Sequence, residues 1–90
     1  MTQTNNTPKF DHVTIPSLRD VLEGRILPMT HTLAGCLAVT SAALEQDAQN
    51  EDVPFAVLDA REQALEIAYD AHENGDNQTT LDALRRCWSV

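Results

Sequence analysis

Between Pro54 and Asn74 the polar and apolar positions recur with the period of an α-helix, and they fall on opposite sides of it. Val57, Ala60, Ala64, Ile67, Ala68 and Ala71, flanked by Leu58 and Leu65, make an apolar arc at three- and four-residue spacing. Asp59, Glu62, Glu66, Asp70 and Glu73 are separated by three, four, four and three residues. At about 100° of rotation per residue those five carboxylates collect in one narrow sector facing away from the arc. The pattern predicts a single helix over 54–74, with Asp52 as its cap, Pro54 in its first turn and Gly75 as its C′ stop.

Upstream, Met29, Leu33, Cys36, Leu37, Thr40 and Leu44 form a stripe at helical spacing, which predicts a helix from Pro28 to about Ala48. Ala34, Ala38 and Ala42 run beside that stripe, with Gly35 adjacent. A helix apolar over most of its circumference reads as the central, buried one. Its small residues admit close approach, by a core neighbour first and by a second copy in a homodimer as the other reading. Before it, His12-Val13-Thr14-Ile15 reads as a short extended piece ended by Pro16. Ser17-Leu-Arg-Asp20 reads as the cap of a short first helix ending between Gly24 and Leu27. Thr79-Thr-Leu-Asp82 repeats that start signal for a closing helix with Leu81, Leu84 and Trp88 inward and Arg85 and Arg86 outward. The expected fold is therefore all-α: a small bundle of about four helices, two long and antiparallel, two short and terminal. Residues 1–12 are expected as a flexible arm and 13–90 as one helical domain, monomeric or dimeric.

Composition sharpens this picture in two respects. The 90 residues hold only four aromatics, Phe10, Phe55, Tyr69 and Trp88, so the core rests on Leu, Ala and Val and is thin. Fourteen acids stand against six bases, a net charge of −8, and the excess is local. From Glu45 to Asp76 there are ten acids and one base, Arg61, giving −9, which leaves +1 for the rest. Direct binding of DNA, RNA or an anionic membrane needs clusters of Lys and Arg and is not expected. No stretch reaches the roughly 18 apolar residues of a membrane span, and the N-terminus lacks a basic-then-apolar leader pattern, so a cytoplasmic protein is expected. In that setting Cys36 and Cys87, 51 residues apart, are expected as reduced, partly buried thiols.

Site chemistry is sparse. His12, His31 and His72 show no i,i+4 pairing, and His31 and Cys36 point to different helical faces, so no metal is expected. The acids and Asn around Asp70–Asn77 lack the ligand register of a calcium loop. There is no nucleophile elbow or phosphate-cradling glycine loop, and carboxylates on an exposed helix have no reason for a shifted pKa. No catalytic residue, enzymatic activity or cofactor is expected.

What remains is the acidic stripe. Like charges at i,i+3 and i,i+4 destabilise a helix by a few tenths of a kcal/mol per pair, and Asp70 and Glu73 lie where the helix dipole disfavours them. A feature that lowers stability in two ways points to a counterpart: a basic protein surface, such as that of a nucleic-acid-binding complex. The bland reading is a solvated, solubilising face. In size, charge and build, though in no particular residues, the chain resembles the small acidic helical proteins with which bacteriophages block host defence machinery. That resemblance implies a non-enzymatic inhibitor of a CRISPR–Cas or restriction-type complex. The alternative function is a helical homo-oligomeric structural or regulatory protein joined through Ala34, Ala38 and Ala42, its acidic face merely solvated.

Overall fold

The computed structural model describes Phe10 and residues 12–89. Its four helices are α1 (Pro16–Leu22), α2 (Thr30–Ala48), α3 (Phe55–Glu73) and α4 (Asn77–Ser89), and no strand occurs among the described residues. The all-α expectation holds. The segment before α1 turns at Phe10, whose carbonyl accepts from Val13 N–H at 2.9 Å, and then extends through Ile15. Phe10, assigned from sequence to the flexible arm, is fully buried in the core; residues 1–9 and 11 of that arm lie outside the described residues.

The stops of α1 and α3 follow glycine, as the sequence predicts, whereas α2 ends on Gln49 in right-handed geometry. At Gly75 (φ +76°) and Gly24 (φ +84°) the chain turns left-handed. Gly75 N–H bonds to His72 O at 3.1 Å and Asp76 N–H to Ala71 O at 2.9 Å, while Gly24 and Arg25 make the matching bonds to Val21 and Asp20. Both are Schellman stops, satisfying carbonyls that a helix end leaves unpaired.

The starts differ from expectation. Ser17 lies inside α1: Pro16 takes the first helical position and holds Ile15 extended (φ −95°, ψ 108°), so Ile15 is the cap residue and no side chain caps. Pro54, not Asp52, caps α3, and α2 begins at Thr30, two residues beyond Pro28, from Met29. At α4 the capping side chain is Asp76, three residues before the predicted Thr79. Its carboxylate accepts from Thr79 N–H at 3.1 Å and from Thr79 Oγ1 at 2.7 Å. These two donors, the hydroxyl first, hold the Asp76 carboxyl below the usual carboxylate range. A depressed native pKa adds stability that is complete above the unfolded value of about 3.9 and fades as pH falls through the native one. Asp76→Asn keeps an acceptor but cannot ionise. In urea unfolding, wild type is therefore expected to lose more stability than this variant between pH 6 and about pH 3. Parallel losses would show that the ionised cap contributes nothing.

The long helices are antiparallel. His72 Nε2–H donates to Thr30 O at 3.0 Å, Tyr69 OH to Leu37 O at 3.4 Å and Arg61 to Asp47 at 2.9 Å, so positions on α3 fall as those on α2 rise. The hub, however, is α4, which packs against each of the other three helices. Leu81, Ala83 and Leu84 join Phe10, Leu18, Leu22, Leu33 and Leu37 in the main core. Cys87 meets Leu44 and Ala64 in a second cluster, with Leu65 and Trp88 packed against both. Trp88 donates its indole N–H to buried Thr40 Oγ1 at 2.9 Å. Arg85, expected to face outward, instead donates to Leu22 O at 2.8 Å and so completes the end of α1.

The central role predicted for α2 is thus corrected. Leu33, Cys36, Leu37, Thr40 and Leu44 are buried, but Met29 is half-exposed and Ala34, Ala38 and Ala42 face outward. The assembly measures 39 × 36 × 19 Å, about two helix diameters in its thin direction. Among the described residues no helix stacks on the outer side of α2 or α3.

Candidate protein-docking face

α3 presents its small side to the core: Ala64, Ala68 and Ala71 are buried, which lets α4 approach closely. That packing fixes the rotation of the helix and turns Asp59, Glu62, Glu66, Asp70 and Glu73 to solvent, where all five are exposed. The structure therefore brings the five predicted residues together on one continuous outer face. From Asp59 to Glu73 they span about 21 Å of helix, close to one carboxylate per turn.

Among the described residues basic side chains are engaged elsewhere. Arg61 is turned sideways into an ion pair with Asp47 of α2 at 2.9 Å. Arg25 pairs with Asp20 and Glu23, and Arg85 stands 3.9 Å from Asp82. Among the described residues no basic side chain forms an ion pair with any of the five. Within the face Gln63 Nε2–H donates to Asp59 at 3.0 Å.

Three large apolar side chains border the acids. Phe55, on the first turn, is 81% exposed, Ile67 is 45% exposed and Tyr69 is 42% exposed. Ile67 was expected in the buried arc; it sits at its edge, next to Asp70 by rotation, and the arc closes on alanines without it. Phe55 was not singled out from sequence. Its position four residues before Asp59 puts it on the acidic sector, and that spacing was the available signal. Exposed aromatic side chains beside charges are typical of binding anchors.

Cys36 and Cys87 are free and buried. Burial pushes the Cys87 thiol up to about 11, with Arg61 opposing and Asp47 adding; burial raises Cys36 as well. Neither is a thiolate nucleophile near neutral pH. The cavity beside Cys87, lined by Thr40, Leu44, Arg61 and Trp88, holds about 10 Å³, at most one water. Among the described residues no group of three His, Cys, Asp or Glu side chains is placed to hold a metal ion, and no helix is long and apolar enough to cross a membrane.

Comparison with protein-family models, with characterised proteins and with solved structures gives no match to this chain.

Proposed function

We propose that this chain is a non-enzymatic acidic docking module of the cytoplasm that occupies a basic protein surface through the outer face of α3. The observation that carries this reading is the alignment of five exposed carboxylates on one rigid helix, with no basic side chain among the described residues in an ion pair with them. In water such a ridge acts chiefly on encounter rate and specificity, its potential steering a positively charged partner into register.

The spacing favours one kind of basic surface. One charge per roughly 5 Å of helix is sparser than the phosphate every 3.4 Å along a DNA strand, but of the same order. A groove lined with Lys and Arg for phosphates can therefore accept the ridge in place of nucleic acid. Acting there, the module would inhibit a nucleic-acid-handling complex by occupancy, the CRISPR–Cas or restriction type of host defence included, without touching nucleic acid itself.

The test is capture from the native cell on the immobilised chain, at low and at high salt, with retained proteins identified by mass spectrometry. A basic protein held at low salt is expected to be released at high salt and not to bind a variant carrying Glu62→Lys, Glu66→Lys and Asp70→Lys. Retention that survives the triple reversal, or ignores salt, rules the reading out.

A further inference from the structure

The stop of α3 holds a reactive pair whose chemistry is independent of any role of the acidic face. Asn74 is followed by Gly75, whereas Asn5, Asn6, Asn50 and Asn77 precede Asn, Thr, Glu and Gln. The backbone nitrogen after an asparagine can attack the side-chain amide carbon and close a five-membered ring. A side chain on the following residue hinders that approach, and glycine has none. Asn74 and Gly75 are both exposed. Nothing lies within 4 Å of the place a Cβ on Gly75 would occupy, so the attack is sterically open.

The folded backbone nevertheless keeps the reacting atoms apart. Asn74 has φ −86° and ψ 1°. Ring closure needs the Gly75 nitrogen to eclipse the Asn74 Cβ about the Cα–C bond, and at that ψ it stands about a third of a turn away. Gly75 N–H also donates to His72 O at 3.1 Å, which retains the proton that must leave, and Asp76 N–H donates to Ala71 O at 2.9 Å. The pair therefore reacts only when this stop opens. Opening an exposed helix end costs far less than unfolding the core.

We infer that Asn74 is a self-modification site gated by the stop of α3, and that its isoaspartyl product cannot rebuild that stop. In the open chain hydroxide takes the Gly75 amide proton and the nitrogen attacks Asn74 Cγ. The N–Cγ bond forms, the Cγ–Nδ2 bond breaks, and Nδ2 leaves as ammonia with a proton from water. Water then opens the ring at one of its two carbonyls. Breaking N–Cγ gives aspartate; breaking the bond from nitrogen to the backbone carbonyl carbon gives isoaspartate, with the chain running through the former side chain. The net exchange is ammonia for water, with no oxidant or cofactor. Either product adds one anion, taking the net charge from −8 to −9, at a helix C-terminus where the dipole disfavours it. Isoaspartate also inserts a methylene into the backbone, which shifts Gly75 and Asp76 away from the carbonyls they now meet. Asp76 caps α4, the helix that packs against the other three, so the change reaches the core.

The test is to age the full chain at mildly alkaline pH, in buffer and in unfolding urea, and to localise the amide-to-acid mass gain by peptide mapping. In urea Asn74 is expected to convert ahead of the other four asparagines, at a rate proportional to hydroxide. In buffer it should convert at least about tenfold more slowly, because no more than a tenth of folded molecules have the stop open. The isoaspartyl protein, separated by chromatography, is expected to melt below Asn74→Asp, which carries the same charge without the added methylene. If Asn74 trails another asparagine in urea, or does not convert in buffer, the site is overturned. Equal rates in buffer and urea overturn the gate. Equal melting of the isoaspartyl protein and Asn74→Asp overturns the effect on the stop.

Discussion

Leu84→Ala is expected to destabilise the protein by about 3–4 kcal/mol, the range for deleting a fully buried leucine whose surroundings cannot collapse. Leu84 has no solvent exposure and sits in the main core on α4, the helix that touches the other three. A cavity there is bordered by several elements at once, so relaxation of one cannot fill it. At 0.05–0.15 kcal/mol per residue a chain of this length has about 5–13 kcal/mol in all, and a core poor in aromatics places it low in that span. The melting temperature should fall by about 15 °C or more. Phe55→Ala removes a larger side chain, but one that is 81% exposed, and should change stability by no more than about 0.5 kcal/mol. If Leu84→Ala cost less than about 1 kcal/mol in urea unfolding, α4 would not be the hub of this fold.

The hub is what the sequence concealed, for a physical reason. Alanine is compatible with either side of a helix. Ala34, Ala38 and Ala42 face solvent on α2, whereas Ala64, Ala68 and Ala71 are buried on α3, and nothing in the two rows themselves differs. On α3 the opposing carboxylates decide the rotation, because five charges cannot be buried unpaired; hence both the helix and its candidate face were legible. On α2 no charge constrains the outer side from Thr30 to Leu44, and only the packing of the whole chain settles it. The stops of α1 and α3 were readable because a left-handed turn selects glycine. Starts were not, because Ser17, Asp52 and Thr79 compete with neighbours one to three residues away, and at two starts a proline fixed the geometry first. Phe10 and Arg85 make contacts with distant parts of the chain, Arg85 to Leu22 across 63 residues; local pattern carries no information on such pairs.

Triple reversal of the ridge, Glu62→Lys with Glu66→Lys and Asp70→Lys, is expected to weaken binding to a basic partner at least about a hundredfold, or about 2.7 kcal/mol. The same substitutions should leave the fold more stable. Lysine at 62 lies three residues from Asp59, and lysine at 70 three residues from Glu73, so two repulsive pairs become attractive. Each such exchange is worth about 0.4–1 kcal/mol. The 62–66 and 66–70 pairs stay alike in charge and change little. A cation at 70 also suits the helix C-terminus better than an anion. Net charge goes from −8 to −2, since each reversal adds two, and this lowers self-repulsion. A net gain of about 1 kcal/mol is expected in urea unfolding. Because binding and stability move in opposite directions, lost binding cannot be laid to unfolding. A control with Glu45→Lys, Glu51→Lys and Asp52→Lys reaches the same net charge from exposed sites outside the ridge. If that control lost affinity as fully as the ridge variant, total charge rather than the α3 face would govern recognition. A larger loss on the ridge assigns the contact to α3, where the repulsion among its carboxylates in the free protein is relieved by the partner's cations.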